Sequence, residues 1–155
     1  MRFTRTLILS TIVFFSVSSF GLDLVVPLKP NEVKTPGDIC TITDGDFTEY
    51  RYDEGIPYCR RNVSFHRRQQ IYDLYEIEED RRHHYTIDHL IPLSIGGSNS
   101  DENLWPEHVR VKAARDRLEL DLFWAVRRGE MTQAEAVEIV LEEKFNPPKD
   151  YILNQ

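Results

Sequence analysis

The sequence predicts an α+β domain, and three observations carry that expectation. A β-branched, apolar run, Tyr85-Thr86-Ile87, sits inside a strand-like stretch over residues 84–91. Farther along, apolar residues recur at helical spacing in two segments, 106–128 and 133–144. The chain has 155 residues, enough for one domain with a real core and too few for two comfortable ones. Its composition, 41% hydrophobic and 29% charged, is ordinary for a globular protein and excludes wholesale disorder. No internal repeat and no long low-complexity tract interrupts it.

The elements follow in order. Arg2 and Arg5 open a positive start, an apolar stretch runs from Leu7 to about Phe20, and small residues follow. This is the pattern of a secretory signal peptide over residues 1–21, with cleavage after Gly21 or after Ser19. The apolar run is broken by serines and a threonine and is short for a span of about 20 apolar residues. The expected mature protein is therefore periplasmic or secreted and does not associate with a membrane. Residues 22–63 collect Pro27, Pro30, Pro36-Gly37, Gly45, Gly55 and Pro57, and read as a loop-rich arm. Cys40 and Cys59 lie in that arm. In an exported chain an even number of cysteines favours a disulfide, and closing a loop of this length stabilises by about 3 kcal/mol on the entropic model.

Ser64 is placed to cap a helix over 65–76, with Ile71, Leu74 and Tyr75 on one side. The strand over 84–91 comes next. Gly96-Gly97 and Ser98-Asn99 mark a loop, and a second short strand fits near 103–105. Pro106 suits the first turn of a helix, expected to run to about Arg128 with Val111, Ala114, Leu118 and Leu122 as its buried stripe and Gly129 as its stop. Thr132 with Glu135 matches a capping box for a last helix over 133–144, with a stripe of Val137, Val140 and Leu141. Pro147-Pro148 ends it.

Charge restricts the function classes. The chain carries −7, and loss of Arg2 and Arg5 with the signal peptide moves it to −9. Such a balance argues against broad, non-specific attraction to nucleic acid. The charge is uneven, however. Arg60, Arg61, Arg67, Arg68, Arg81 and Arg82 gather upstream of the strand, so positive ground can exist locally.

The chemistry concentrates in TIDHLIPLSIGGSNSDENLWPE, residues 86–107. A core strand has no need of two adjacent polar side chains at its end. Asp88 is a hard oxygen ligand suited to magnesium or manganese. His89, next along a strand, points to the opposite face. A neutral imidazole is a good base near pH 7, able to take a proton from an attacking water. A metal would polarise a phosphodiester and stabilise the leaving oxygen. Asn103 has an amide able to bond backbone groups on both sides of the intervening loop.

This stretch resembles the HNH, or ββα-metal, endonucleases. The likeness rests on Asp88-His89, Pro92-Leu93, Gly96-Gly97-Ser98-Asn99, and Asn103-Leu104 with Pro106. It covers about residues 84–120, and the downstream GEMTQAEAVEIV is similar to an exported bacterial branch of the family. The resemblance implies a ββα-metal core with flanking helices within residues 64–155. It makes His89 the general base, Asp88 a metal ligand and Asn103 the middle, structural asparagine. It implies magnesium or manganese as cofactor and the DNA backbone, with RNA as a second substrate, as partner. Contacts to backbone and metal imply weak sequence preference.

The sequence departs from the family at the last metal ligand. Lys112 stands where the helix would supply one, and an ammonium cannot ligate. Asp116, then His108, then Glu119 are the candidates in its place. Arg110, Arg115 and Arg117 share that helix, and one of them could pair a phosphate. His83, His84 and His66 read as exposed, and Trp105 and Trp124 as core. A rival expectation is a non-catalytic secreted binding or structural module on a degenerate fold of this type. The acidic charge and the missing ligand motivate it.

Overall fold

The computed structural model describes residues 27–147. The expected signal peptide lies outside them. The fold is α+β. Strands β1 (Phe47–Arg51) and β2 (Ile56–Cys59) form one antiparallel pair, and β3 (Tyr85–His89) and β4 (Leu104–His108) form another. Helices α1 (Phe65–Leu74), α2 (Val109–Ala114), α3 (Leu118–Arg127) and α4 (Gln133–Phe145) surround them. Among the described residues no helix is long and apolar enough to cross a membrane.

The arm is fastened rather than loose. Cys40 and Cys59 are joined in a disulfide, with their Cα atoms 5.8 Å apart. Ile39 makes an isolated β-bridge to Gly97, Cys40 N–H donates to the Gly96 carbonyl, and Ser98 N–H donates to the Asp38 carbonyl. The arm thus lies along the loop after β3. Gly97 is required there. A Cβ on it would stand 1.8 Å from the Ile91 carbonyl oxygen and 2.9 Å from the Asn103 amide nitrogen.

Local signals place α1 and α4. The Ser64 hydroxyl accepts the Arg67 N–H at 3.1 Å, and Glu76, at φ +59°, turns the chain soon after α1 ends. Thr132 and Glu135 complete both halves of the capping box of α4. Two apolar clusters make the core. Ile71, Tyr72 and Ile77 pack against Tyr85, Ile87 and Leu104. Ile56, Ile91 and Ile95 pack against Leu122, Val126, Ala136 and Val140. Full burial of each aliphatic side chain contributes about 1.5–3 kcal/mol.

The expected helix from Pro106 to Arg128 is corrected in two places. Pro106 belongs to β4, opposite Ile87. A two-stranded ribbon is all edge, so a missing N–H can face away from the ladder. The helix proper starts at Val109, stops at Ala114 and restarts at Leu118. At the break, Arg115 turns inward and pairs with Glu107, while its other guanidinium nitrogen donates to the Glu143 carbonyl at 3.1 Å. Of the expected stripe, Val111 and Leu122 are buried, while Ala114 and Leu118 are half-buried.

Candidate functional site

The register of the β3–β4 ribbon organises the site. Asp88 lies opposite Trp105 and Thr86 opposite Glu107, whereas His89 lies opposite Leu104 and Tyr85 opposite His108. Directly opposed residues share a face and successive residues alternate. One face therefore carries Asp88 and Glu107, and the other carries His89 and His108.

On the first face, two carboxylates and a set of cations converge. Asp88 is 6% exposed and Glu107 is 1% exposed. The Lys112 ammonium on α2 donates to Asp88 Oδ2 at 2.8 Å and lies 3.8 Å from Glu107. Lys144 on α4 is itself buried. Its ammonium donates to the His89 carbonyl at 2.7 Å and to Glu119 Oε1 at 2.8 Å, and lies 3.7 Å from Asp88. Burial alone would raise the Asp88 carboxyl. The Lys144 ammonium, a hydrogen bond with Glu107 and the Lys112 ammonium outweigh it and hold the group well below the usual carboxylate range. Burial, together with the hydrogen bond and charge of Asp88, pushes Glu107 up to about 7 against the pull of Lys144 and Arg115.

On the second face, His89 is 2% exposed. Its Nε2 lies 3.0 Å from Asn99 Oδ1 and its Nδ1 lies 3.3 Å from Arg61 Nη1. The second Arg61 nitrogen donates to the Ile87 carbonyl at 2.9 Å. Burial lowers the His89 pKa below its ordinary value. The Asn99 bond opposes that shift, and the Arg61 charge adds to it. Burial and the Arg61 guanidinium both favour the neutral ring.

Asn103 sits behind the loop with no exposed surface. Its Oδ1 accepts the Ile91 N–H at 2.8 Å, and its Nδ2 donates to the Ile91 carbonyl at 3.0 Å and the Ser98 carbonyl at 2.8 Å. One amide thus ties both ends of the segment from Ile91 to Ser98.

The expected ligands Asp88, Asp116 and His108 are not brought together. Among the described residues, one trio of potential ligands has all its atoms within 4.8 Å, namely Cys40, Asp44 and Cys59. Two of its members are bonded to each other as a disulfide and offer no thiolate. His108 is on the wrong face of the ribbon for Asp88. Its Nδ1 accepts the Arg110 N–H at 3.2 Å, and its ring stacks on His84. Asp116 is exposed in the break between α2 and α3. It lines a cavity of about 80 Å³ with Glu107, Lys112, Arg115, Glu119 and Lys144. Glu119, the last-ranked candidate, is joined to Asp88 through Lys144.

Four residues at the site were not singled out from the sequence. Glu107 would have followed from alternation had β4 been assigned through His108. Asn99 and Arg61 were noted only as part of the loop motif and of a basic group. Lys144, 55 positions from His89, leaves no local signal. No protein-family model, no curated protein and no solved structure matches the chain.

Proposed function

We propose that the chain is an exported endonuclease that hydrolyses phosphodiester bonds in DNA, with RNA as a second substrate, on a ββα-metal core. The observation that carries this reading is a neutral imidazole at a strand end, with an arginine guanidinium on one nitrogen and a pair of buried carboxylates on the reverse face of the same strand. In this reading His89 accepts the proton of the attacking water through a ring nitrogen. Arg61 is the phosphate-binding group. The residue is exposed, and a guanidinium pairs a phosphate bidentately. Moving from the ring to a phosphate, it uncovers the nitrogen that the water needs. Asn103 holds the loop, and Lys144 holds the backbone of His89 in place.

The donor chemistry fits a divalent cation. Asp88 and Glu107 are hard oxygen donors, buried side by side on one face of the ribbon. Those two residues would hold the ion once Lys112, whose side chain is 47% exposed, swings aside. A bound magnesium or manganese ion would polarise the phosphodiester and stabilise the leaving oxygen.

Plasmid nicking tests the proposal. Cleavage with magnesium or manganese, loss with chelator and loss in His89→Ala are the expected results. A second reading, a secreted non-catalytic module, is favoured by the occlusion of His89, both of whose ring nitrogens are occupied. A folded protein that cuts nothing under any divalent metal overturns the nuclease and leaves the module.

A further inference from the structure

The polar network around His89 assigns a proton. The Asn99 amide can sit in one orientation only. Its nitrogen meets two acceptors, Asp46 Oδ2 at 2.6 Å and the Arg60 carbonyl at 2.9 Å. Its oxygen meets a donor, the Asn62 N–H at 3.1 Å. Asn99 Oδ1 therefore faces His89 Nε2 as an acceptor, at 3.0 Å, and that ring nitrogen must carry the hydrogen. A neutral imidazole has a single N–H, so Nδ1 carries a bare lone pair. The neighbour of Nδ1 agrees, because the Arg61 guanidinium has only donors to offer.

We propose that Asn99, oriented by Asp46 and the Arg60 carbonyl, is a positioning residue that fixes His89 as the Nε2–H tautomer and leaves Nδ1, beneath Arg61, as the nitrogen that takes a proton. The proposal deepens the nuclease reading and rests on it for the role of Nδ1. It also gives the arm a part in the site. Asp46 lies within the loop closed by Cys40 and Cys59, Arg60 and Arg61 follow that disulfide directly, and Arg60 N–H donates to the Asp46 carbonyl at 2.9 Å. The segment that orients the ring from one side also covers it from the other.

Long-range nitrogen–proton NMR of the His89 ring, on the mature chain without metal at pH 7.5, reads the tautomer directly. The wild type is expected to show a protonated Nε2 and an unprotonated Nδ1. Asp46→Asn touches no atom of His89 and leaves the Arg60 carbonyl and the Asn62 N–H to hold the Asn99 amide, so its ring should stay Nε2–H. Asn99→Ala removes the acceptor that faces Nε2. Mixed tautomers are expected in Asn99→Ala, with kcat for nicking reduced on the order of 10- to 100-fold and KM little changed. Should Asn99→Ala fail to fold, the wild-type spectrum still decides. A protonated Nδ1 in the wild type, or a pure Nε2–H ring in Asn99→Ala, overturns the proposal. Absence of cleavage by a wild type with the expected tautomer overturns the nuclease reading instead, since the NMR result does not depend on turnover.

Discussion

Asn103 offers a quantitative test of how the loop after β3 is held. The residue has no exposed surface, and its amide makes three hydrogen bonds to backbone. Asn103→Ala strands the Ile91 N–H and removes a partner from two carbonyls. A buried donor left unpaired costs about 1–3 kcal/mol, and each lost bond to a carbonyl about 1 kcal/mol. The sum is about 3–5 kcal/mol. At roughly 4 °C per kcal/mol for a domain of this size, Tm should fall by about 12–20 °C. Asn103→Asp keeps the shape and the acceptor but turns an oxygen toward the Ile91 and Ser98 carbonyls. Burial and that repulsion raise the folded-state pKa of the new carboxyl above its unfolded value of about 3.9. Its folded form then keeps a proton the unfolded chain releases, so stability is best at low pH and is lost as pH rises. Thermal unfolding by circular dichroism at pH 4.5 and 7.5, with the disulfide intact, measures both. A Tm for Asn103→Ala within about 3 °C of wild type, or an Asn103→Asp deficit independent of pH, would refute the reasoning.

Three other outcomes follow from the same contacts. Lys144→Met leaves Glu119, Asp88 and the His89 carbonyl without their buried ammonium. Urea unfolding should show a loss of about 3 kcal/mol, and a loss under 1 kcal/mol contradicts the assigned role. Cys40→Ser opens a loop of sequence separation 19 and should cost about 3 kcal/mol. The wild type reduced with a thiol should match it in melting temperature, and an unchanged melt in both refutes a stabilising bridge. The His89 pKa is lowered in the folded state, so below about 6.5 the unfolded chain takes a proton that the folded ring refuses. In chelator, the stability of the wild type relative to His89→Gln should be flat above that pH and fall below it. Melting curves between pH 5 and 8 that show the difference growing toward acid contradict a buried neutral ring.

Much of this architecture could be read along the chain because its causes are local. A serine three residues before an amide it accepts, or a threonine and a glutamate in reciprocal contact, needs no distant partner to begin a helix. The capped helices were reached in that way, and the disulfide from an even number of cysteines in a chain read as exported. Pro106 misled for an equally local reason. Its fixed φ suits a first helical turn, and only the pairing with Ile87 across the ribbon shows that it sits inside a strand.

The Asp88-His89 pair and Asn103 stood out because their side chains are unusual at such positions and their spacing is short. What surrounds them came from packing alone. Arg115 breaks a continuous helical pattern because a buried Glu107 lies within its reach. Lys144 arrives from the last helix because the apolar seam of Val140 and Ala136 docks α4 on the core. Arg61 and Asn99 meet at one ring because a disulfide-closed arm runs along the loop. Charge pairs and tautomers belong to distances in space, and a linear chain holds those only after its hydrophobic faces have closed.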